Sequence, residues 1–474
     1  MSTSAEHARI IVAGVASGVG KTTICTGLMA AIVARGLRVQ GYKVGPDYID
    51  PTYHHAATGR PSYNLDTWLS SQVMVQQRFD AGMHDADIAL IEGVMGLFDG
   101  RKQTRDTAST AEIARVLNAP VVLVIDVSHM GQSVAAIVNG FQHLDSRVHL
   151  VGVILNKVAS ADHEATLRYA IEEWTNVPVL GSIRRNTLLM LPARHLGLIP
   201  IPEQPLETQV LADAIERTVN VPEILRLAQQ AGPLPLQASE PTEDKEVVLS
   251  ENVPTSSTAI RIGIALDAAF SFYYPETLEA FARGGADVVP FSPLQDTKPP
   301  DDIDLFYFGG GFPEVFAEQL SNNRTMLSQI HSVIQQGTPV YAECGGYMYL
   351  GTCCIDATQK HHQLVGAIPY TFRMGTERTQ LGYREITTTR NTILGPTGMH
   401  LRGHEFHWSH IVEDLSEVNA PYQLAGREPT AEGYANENIL ASYVHVPLAA
   451  HPQVLSSMVQ TAIRYRQARM GREE

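Results

Sequence analysis

Apolar residues fall in short, mostly unbroken runs along the first half of the chain: Arg9–Ala13, Leu37–Tyr42, Ile88–Glu92, Pro120–Asp126 and Leu150–Leu155. Runs without an in–out alternation predict parallel strands covered on both faces. Amphipathic stretches separate them, the first predicted as a helix from Lys21 to about Ala34. Strands alternating with helices predict βαβ units and a doubly wound sheet. From about Ala228 to Ser257 the rhythm lapses into Pro, Ser, Glu and Gln. Buried loops of that length are uncommon, so 229–258 is predicted as a linker. The rhythm then resumes at Ile260–Leu266, Val288–Phe291, Leu305–Phe308, Pro339–Ala342 and Ile439–Val444. Two α/β domains are expected, 1–228 and 259–474, with no internal repeat between them.

Composition narrows the class. At 474 residues the chain is too long for one hydrophobic core. A net charge of −15 argues against a nucleic-acid partner, which would need a basic face, yet leaves room for an anion in a local positive pocket. The opening MSTSAEHAR carries no apolar signal region, and no apolar run reaches the ~18 residues of a membrane span. Cys25, Cys344, Cys353 and Cys354 form no C-x-x-C pair, which suits a reduced, cytoplasmic protein in which one Cys acts as a nucleophile.

Two stretches carry chemistry. In the first half, GVASGVGKTT (Gly14–Thr23) lies between the first strand and the first helix. The common phosphate-loop pattern G-x-x-x-x-G-K-[ST] would put glycine at Val15, so Gly14 stands one residue early. The order strand, loop, helix still aims the N–H groups of Gly18, Val19, Gly20 and the residues after them at a phosphate. Lys21 then reaches the outer phosphates, Thr22 offers its hydroxyl to Mg²⁺, and Thr23 continues the loop into the helix. Magnesium wants further carboxylates. Two clusters flank strand ends: KVGPDYIDP, with Asp47 and Asp50, and IEGVMGLFDG, with Glu92 and Asp99. Asp50-Pro51 and Asp99-Gly100 also suit plain turn chemistry. Glu92 does not, because it closes a buried strand where a lone carboxylate is costly. Asn156, after the strand LVGVIL, resembles the Asn of a base-reading N-K-x-D, but Ala159 replaces the Asp.

In the second half, TPVYAECGGYMYLG (338–351) is a strand ending in Cys344, two glycines, and a helix expected near Tyr347. A sharp strand-to-helix turn of this kind exposes a nucleophile beside oxyanion-binding N–H groups. His445, after the strand ILASYV, is the expected base, supplied from a distant segment. A group orienting it would be sought two residues on, but that residue is Pro447. A Cys–His dyad, or an orienting group from elsewhere, is expected. LFYFGGGFPE (305–314) suits an oxyanion hole through close backbone approach, or simply a tight turn. RGHEFHWSH (402–410) is not H-E-x-x-H and is expected to be a polar patch rather than a zinc site. Cys353 and Cys354 are expected as small buried residues.

Together GVASGVGKTT, KVGPDYIDPTYHHAATGRPSYNLD, EGVMGLFDG, FGGGFPE, AECGGYMYL, GHEFHWS and ASYVHV resemble the cobyrinate a,c-diamide synthase family over nearly the whole chain. The displaced glycine also resembles that of dethiobiotin synthetase. The resemblance implies a P-loop NTPase-like domain joined to a class I glutamine amidotransferase-like domain, amidating two carboxylates of a corrinoid with ATP, Mg²⁺ and L-glutamine. Cys344 would release ammonia from glutamine, Gly310, Gly311 and Gly345 would hold the oxyanion, and His445 would shuttle the proton. Asp47, Glu92 and Asp99 would form the metal and catalytic site, with Thr22, Asp47 and Glu92 on the metal. Tyr48, Ile49 and Asp50 would surround the c-side carboxylate. Free ammonia is mostly protonated at neutral pH, so an internal passage between domains is expected.

Rival readings remain. Nickel-sirohydrochlorin or hydrogenobyrinate would use the same sites. A partition-type P-loop ATPase, which binds DNA or membrane, carries an early signature Lys where this chain has Ala16. A nucleotide-binding regulator would need a degenerate second domain, which the intact Cys344 turn opposes. A homodimer is left open.

Overall fold

A computed structural model describes residues 7–185, 191, 193–194, 197–235, 259–375, 380–413 and 420–473. The chain divides into two compact units, Met1–Glu240 and Pro241–Glu474. Among the described residues no helix is long and apolar enough to cross a membrane.

The first unit is built on seven strands: β1 (Arg9–Gly14), β2 (Val39–Val44), β3 (Tyr63–Leu65), β4 (Ile88–Glu92), β5 (Val121–Asp126), β6 (Leu150–Val158) and β7 (Val179–Arg184). They form one parallel sheet in the order β3-β2-β4-β1-β5-β6-β7. All residues of β1, β2 and β4 are buried, as unbroken apolar runs require when helices cover both faces. The sheet places β1 between β4 and β5, so strands on its two sides run on in opposite directions of chain order. Ligands gather beyond the carboxyl ends of strands at such a reversal. Helices α1 (Lys21–Ala34) and α2 (Asp50–Thr58) leave from the ends of β1 and β2 there.

One buried cation fixes where the chain leaves this unit. Arg9 is wholly buried and donates to the carbonyls of His7, Leu117 (2.6 Å), Asn118 and Gly232. Gln76 and Asn118 reach the carbonyls of Pro235 and Pro233, and Leu234 packs on the core. Of the segment expected as a linker, 229–258, the residues up to 235 are therefore bound to the first unit, and 236–258 lie outside the described residues.

The second unit has a six-stranded sheet in the order Asp287–Phe291, Arg261–Ala265, Leu305–Phe308, Val340–Glu343, Ile439–Ser442, Tyr434–Ala435. The first five strands are parallel and the last is antiparallel. Between Val340–Glu343 and Ile439–Ser442 the chain makes a mostly antiparallel excursion that the apolar pattern did not predict, with one parallel pair between Cys353–Ile355 and Thr371–Met374. It forms two four-stranded sheets from strands between Cys353 and Glu432. Several of these strands are three residues long and rich in His, Gln and Thr, too short to show a period. The excursion brings the strand His400–His407 against the segment after Ile439–Ser442, where His404 and His445 exchange backbone hydrogen bonds at 3.0 and 2.9 Å. Cys354 is buried as expected, but Cys353 is half-exposed, its sulfur 3.8 Å from His361 Nδ1.

Candidate active sites

The first site gathers at the ends of β1, β2 and β4. Gly20, which caps α1, sits at φ 97°, a conformation that favours glycine, and a Cβ there would collide with the Asn156 amide. Gly18 is also left-handed, at φ 75°. Asn156 Nδ2 donates to Val19 O at 2.8 Å, so the residue expected to read a base braces the phosphate loop in this structure. Lys21 lies across the loop, its Nζ 3.0 Å from Ala16 O and 2.6 Å from Met95 O. Thr22 donates to Glu92 Oε1 at 2.7 Å, and Thr23 is half-buried in the first turn of α1.

Glu92 is the hub. It is fully buried and is met by Thr22, by Lys43 Nζ at 3.1 Å and by His54 Nε2 at 2.7 Å. Lys43 also pairs with Asp50 at 2.6 Å, and His54 Nδ1 is held by Ser62 at 2.9 Å. Lys43 and His54 were not singled out from the sequence as site residues. The only sequence signal was a lysine inside a strand that is otherwise buried, VQGYKV. Asp47 Oδ1 accepts the N–H groups of Ile49 and Asp50, turning the chain into α2, while Asn64 ties down the carbonyls of Gly45 and Asp47. Asp99 Oδ2 accepts from Gly96 N at 2.9 Å. Tyr48 is buried, and Ile49 packs beside Tyr53, Leu191 and Leu211.

These groups set one another's charge. Burial opposes ionisation of Glu92, but the Lys43 cation and hydrogen bonds from His54 and Thr22 outweigh it, holding the carboxyl well below its usual range. Burial likewise opposes the charge on Lys43, and Asp50 and Glu92 override it. Lys21 goes the other way: burial and the neighbouring Lys43 lower it to about 8, although Glu92, Asp50 and Asp99 pull upward. Burial, Asp47 and Glu92 push the Asp50 carboxyl well above its usual range, against the pull of Lys43. The oxygen donors of Thr22, Glu92 and Asp47 suit a hard cation such as Mg²⁺. Cys25, His54 and Glu92, all buried, also bring ligand atoms within 4.8 Å of one another.

The second site is organised by backbone strain. Cys344 has φ 49° and ψ −103°, sparsely populated for a residue with a Cβ, as the expected sharp turn requires. The helix after it begins at Gly345, two residues earlier than predicted. Gly345 and Gly311 crowd together: a Cβ on Gly345 would lie 3.1 Å from Gly311 N. Gly311 has φ 154°, and a Cβ there would strike Ala269 O, while one on Gly310 would lie 2.5 Å from His445 Cε1. The three expected oxyanion glycines therefore line the space beside Cys344 and His445.

Cys344 and His445 are buried neighbours, close enough for sulfur and imidazole to set each other's charge, and the Cys344 sulfur lies 3.8 Å from the carbonyl of Phe406. Burial disfavours the imidazolium, but the Cys344 sulfur and the Glu343 carboxylate override it and raise His445 to about 10. His404 stacks on His445 with ring centroids 4.9 Å apart, and His407 stacks on Tyr443 at 3.7 Å. Burial and the neighbouring His445 hold His404 well below the usual range, so it stays neutral. The polar patch around 402–410 thus borders the thiol site, and His410 is exposed.

The family model described as "CobQ/CobB/MinD/ParA nucleotide binding domain" matches residues 10–199, and that described as "CobB/CobQ-like glutamine amidotransferase domain" matches residues 261–453. The chain is 41% identical over 462 residues to the protein named cobyrinate a,c-diamide synthase from Syntrophotalea carbinolica, covering 95% of this chain and 98% of the relative. It is similar to proteins of the same name from Dehalococcoides mccartyi (41% identical, covering 95% and 97%) and Priestia megaterium (39%, covering 96% and 97%).

Proposed function

The chain belongs to the cobyrinate a,c-diamide synthase family, and we propose that it amidates the a and c side-chain carboxylates of cobyrinate with ATP and glutamine. One observation carries this reading. A single chain holds a strained Cys344 beside His445 and a phosphate loop whose Thr22 touches a buried strand-end carboxylate, Glu92. The first can release ammonia, and the second can activate an acid. We assign the residues up to 235 to the synthetase and 259–474 to the glutaminase.

In the glutaminase, the Cys344 sulfur, its proton already held by His445, attacks the side-chain carboxamide carbon of glutamine. The N–H groups of Gly310, Gly311 and Gly345 hold the oxyanion. His445 returns the proton to the leaving nitrogen, ammonia departs, and a thioester joins glutamate to Cys344. Water, deprotonated by His445, then releases glutamate. In the synthetase, Lys21 and the loop N–H groups orient ATP so that its γ-phosphoryl group passes to a cobyrinate carboxylate held by Tyr48, Ile49 and Asp50. The resulting acyl phosphate has the leaving group a carboxylate lacks, and ammonia displaces it to give the amide. Thr22, Asp47 and Glu92 would hold Mg²⁺, which neutralises phosphate charge, and Asp99 would complete the charged rim beside Lys21. Two rounds give the a,c-diamide. The free thiols and the thiol nucleophile suit the cytoplasm, where cysteines stay reduced.

The test is to incubate the protein with glutamine, MgATP and cobyrinate, and to weigh the product. Two carboxyl-to-amide conversions are expected. No gain on cobyrinate with a gain on nickel-sirohydrochlorin or hydrogenobyrinate would overturn the assigned macrocycle.

A further inference from the structure

His445 has no carboxylate two residues after it, since Pro447 stands there. A carboxylate nevertheless faces it from the strand that carries the nucleophile. Glu343 pairs in register with Ser442 across neighbouring parallel strands, so its side chain and His445 meet beyond the same sheet edge. Its Oε2 lies 3.6 Å from His445 Nδ1, and both residues are 1% exposed.

Three donors lock that carboxylate. Tyr341 Oη donates to Oε1 at 2.5 Å, Tyr307 Oη donates to Oε2 at 2.9 Å, and the N–H of Val446 donates to Oε1 at 2.9 Å. The last anchors Glu343 to the residue directly after the histidine. Among the described residues, the cation paired with Glu343 is His445. A buried carboxylate without a counter-charge would be costly, so the imidazolium and Glu343 stabilise each other.

In an extended strand, successive side chains point to opposite faces, and Glu343 would turn away from whatever Cys344 meets. The strained conformation at Cys344 breaks that alternation, and both residues face one imidazole. We propose that Glu343 is the positioning residue for His445 in glutamine hydrolysis, holding its Nδ1 side so that the other ring nitrogen meets Cys344. The raised affinity of His445 for its proton agrees with this. The pair of neighbouring residues then does what Cys, His and a third group supplied from a separate position do elsewhere.

The proposal rests on the glutaminase reading above, and the experiment separates the two. Glutaminase kinetics of the full chain are compared for wild type, Glu343→Gln and Tyr307→Phe, with ammonia-dependent synthesis as a reference. For Glu343→Gln, kcat on glutamine is expected to fall by ~10²–10⁴. KM for glutamine and ammonia-dependent synthesis stay within about twofold. The basic limb of the pH profile moves to lower pH, because His445 loses its anionic partner. The other titratable groups packed against His445 are Cys344, His404, Glu405 and His407, with Glu405 tied to Arg384 at 2.6 Å. Tyr307→Phe, which frees Oε2, is expected to shift the limb the same way by less, and it decides the matter if Glu343→Gln does not fold. An unmoved pH limb, or an equal loss of ammonia-dependent synthesis, overturns the assignment. A wild-type chain that fails to hydrolyse glutamine overturns the reading beneath it.

Discussion

The two sites reach reactivity by opposite means. The phosphate site is a crowd of titratable groups, with Lys21 and Lys43 set among Asp47, Asp50, Glu92 and Asp99. The thiol site is closed. One strained residue, buried rings and the buried ion pairs His445–Glu343 and Arg384–Glu405 surround Cys344, so its charges already have partners. The contrast appears in two bases: Lys21 is pushed down to about 8, while His445 is lifted to about 10. A site that must recruit an anion keeps Lys21 desolvated and beside a second cation. A site that must hold a thiol–imidazole pair supplies the compensation itself.

The largest expected effect tests their independence. Cys344→Ala should abolish glutamine-dependent synthesis, a loss of ~10⁶ by analogy with removal of other nucleophiles, and leave ammonia-dependent synthesis. Loss of both would merge the two sites into one. Glu92→Gln should sharpen the contrast, lowering both glutamine- and ammonia-dependent rates by ~10²–10³ while glutamine hydrolysis without the macrocycle continues. A variant retaining ammonia-dependent turnover would remove Glu92 from the site. Lys43→Met leaves Asp50 and Glu92 without their shared cation and should destabilise the first unit by about 3–5 kcal/mol, read as a lower urea midpoint. An unchanged midpoint would show the buried pair to be neutral in its net contribution. The smallest effect is in pH. Lys21 must be protonated to meet phosphate, so KM for ATP should be flat below about 8 and rise above it, up to tenfold per unit. A flat profile to pH 9 would mean that burial and Lys43 do not lower Lys21.

Much of this was legible in the chain. The parallel strands read from unbroken apolar runs because burial on both faces leaves no polar positions, and β4 was found with its observed ends at Ile88 and Glu92. Cys344 and the phosphate loop declared themselves through glycines beside reactive residues. The missing parts depend on contacts between distant segments. Lys43 reads as a chance polar residue until β2 and β4 pair and set it opposite Glu92 in register. His54 matters because α2 folds back over the same carboxylate. Glu343 was hidden by its own position, since strand alternation predicts that it faces away from the nucleophile's partner. Only the backbone angle at Cys344 reverses that, and no side-chain pattern encodes it.

The Arg9 anchor bears on how the molecule can be taken apart. By composition alone, a gene fragment for the synthetase would stop near Ala228. The carbonyls of Gly232, Pro233 and Pro235 are held by Arg9, Asn118 and Gln76. A fragment cut at Ala228 would strand a buried guanidinium without one of its acceptors, whereas one carried through Pro235 keeps its own clasp. The place to cut a chain is set by its last hydrogen bond, and compositional bias marks only where to start looking.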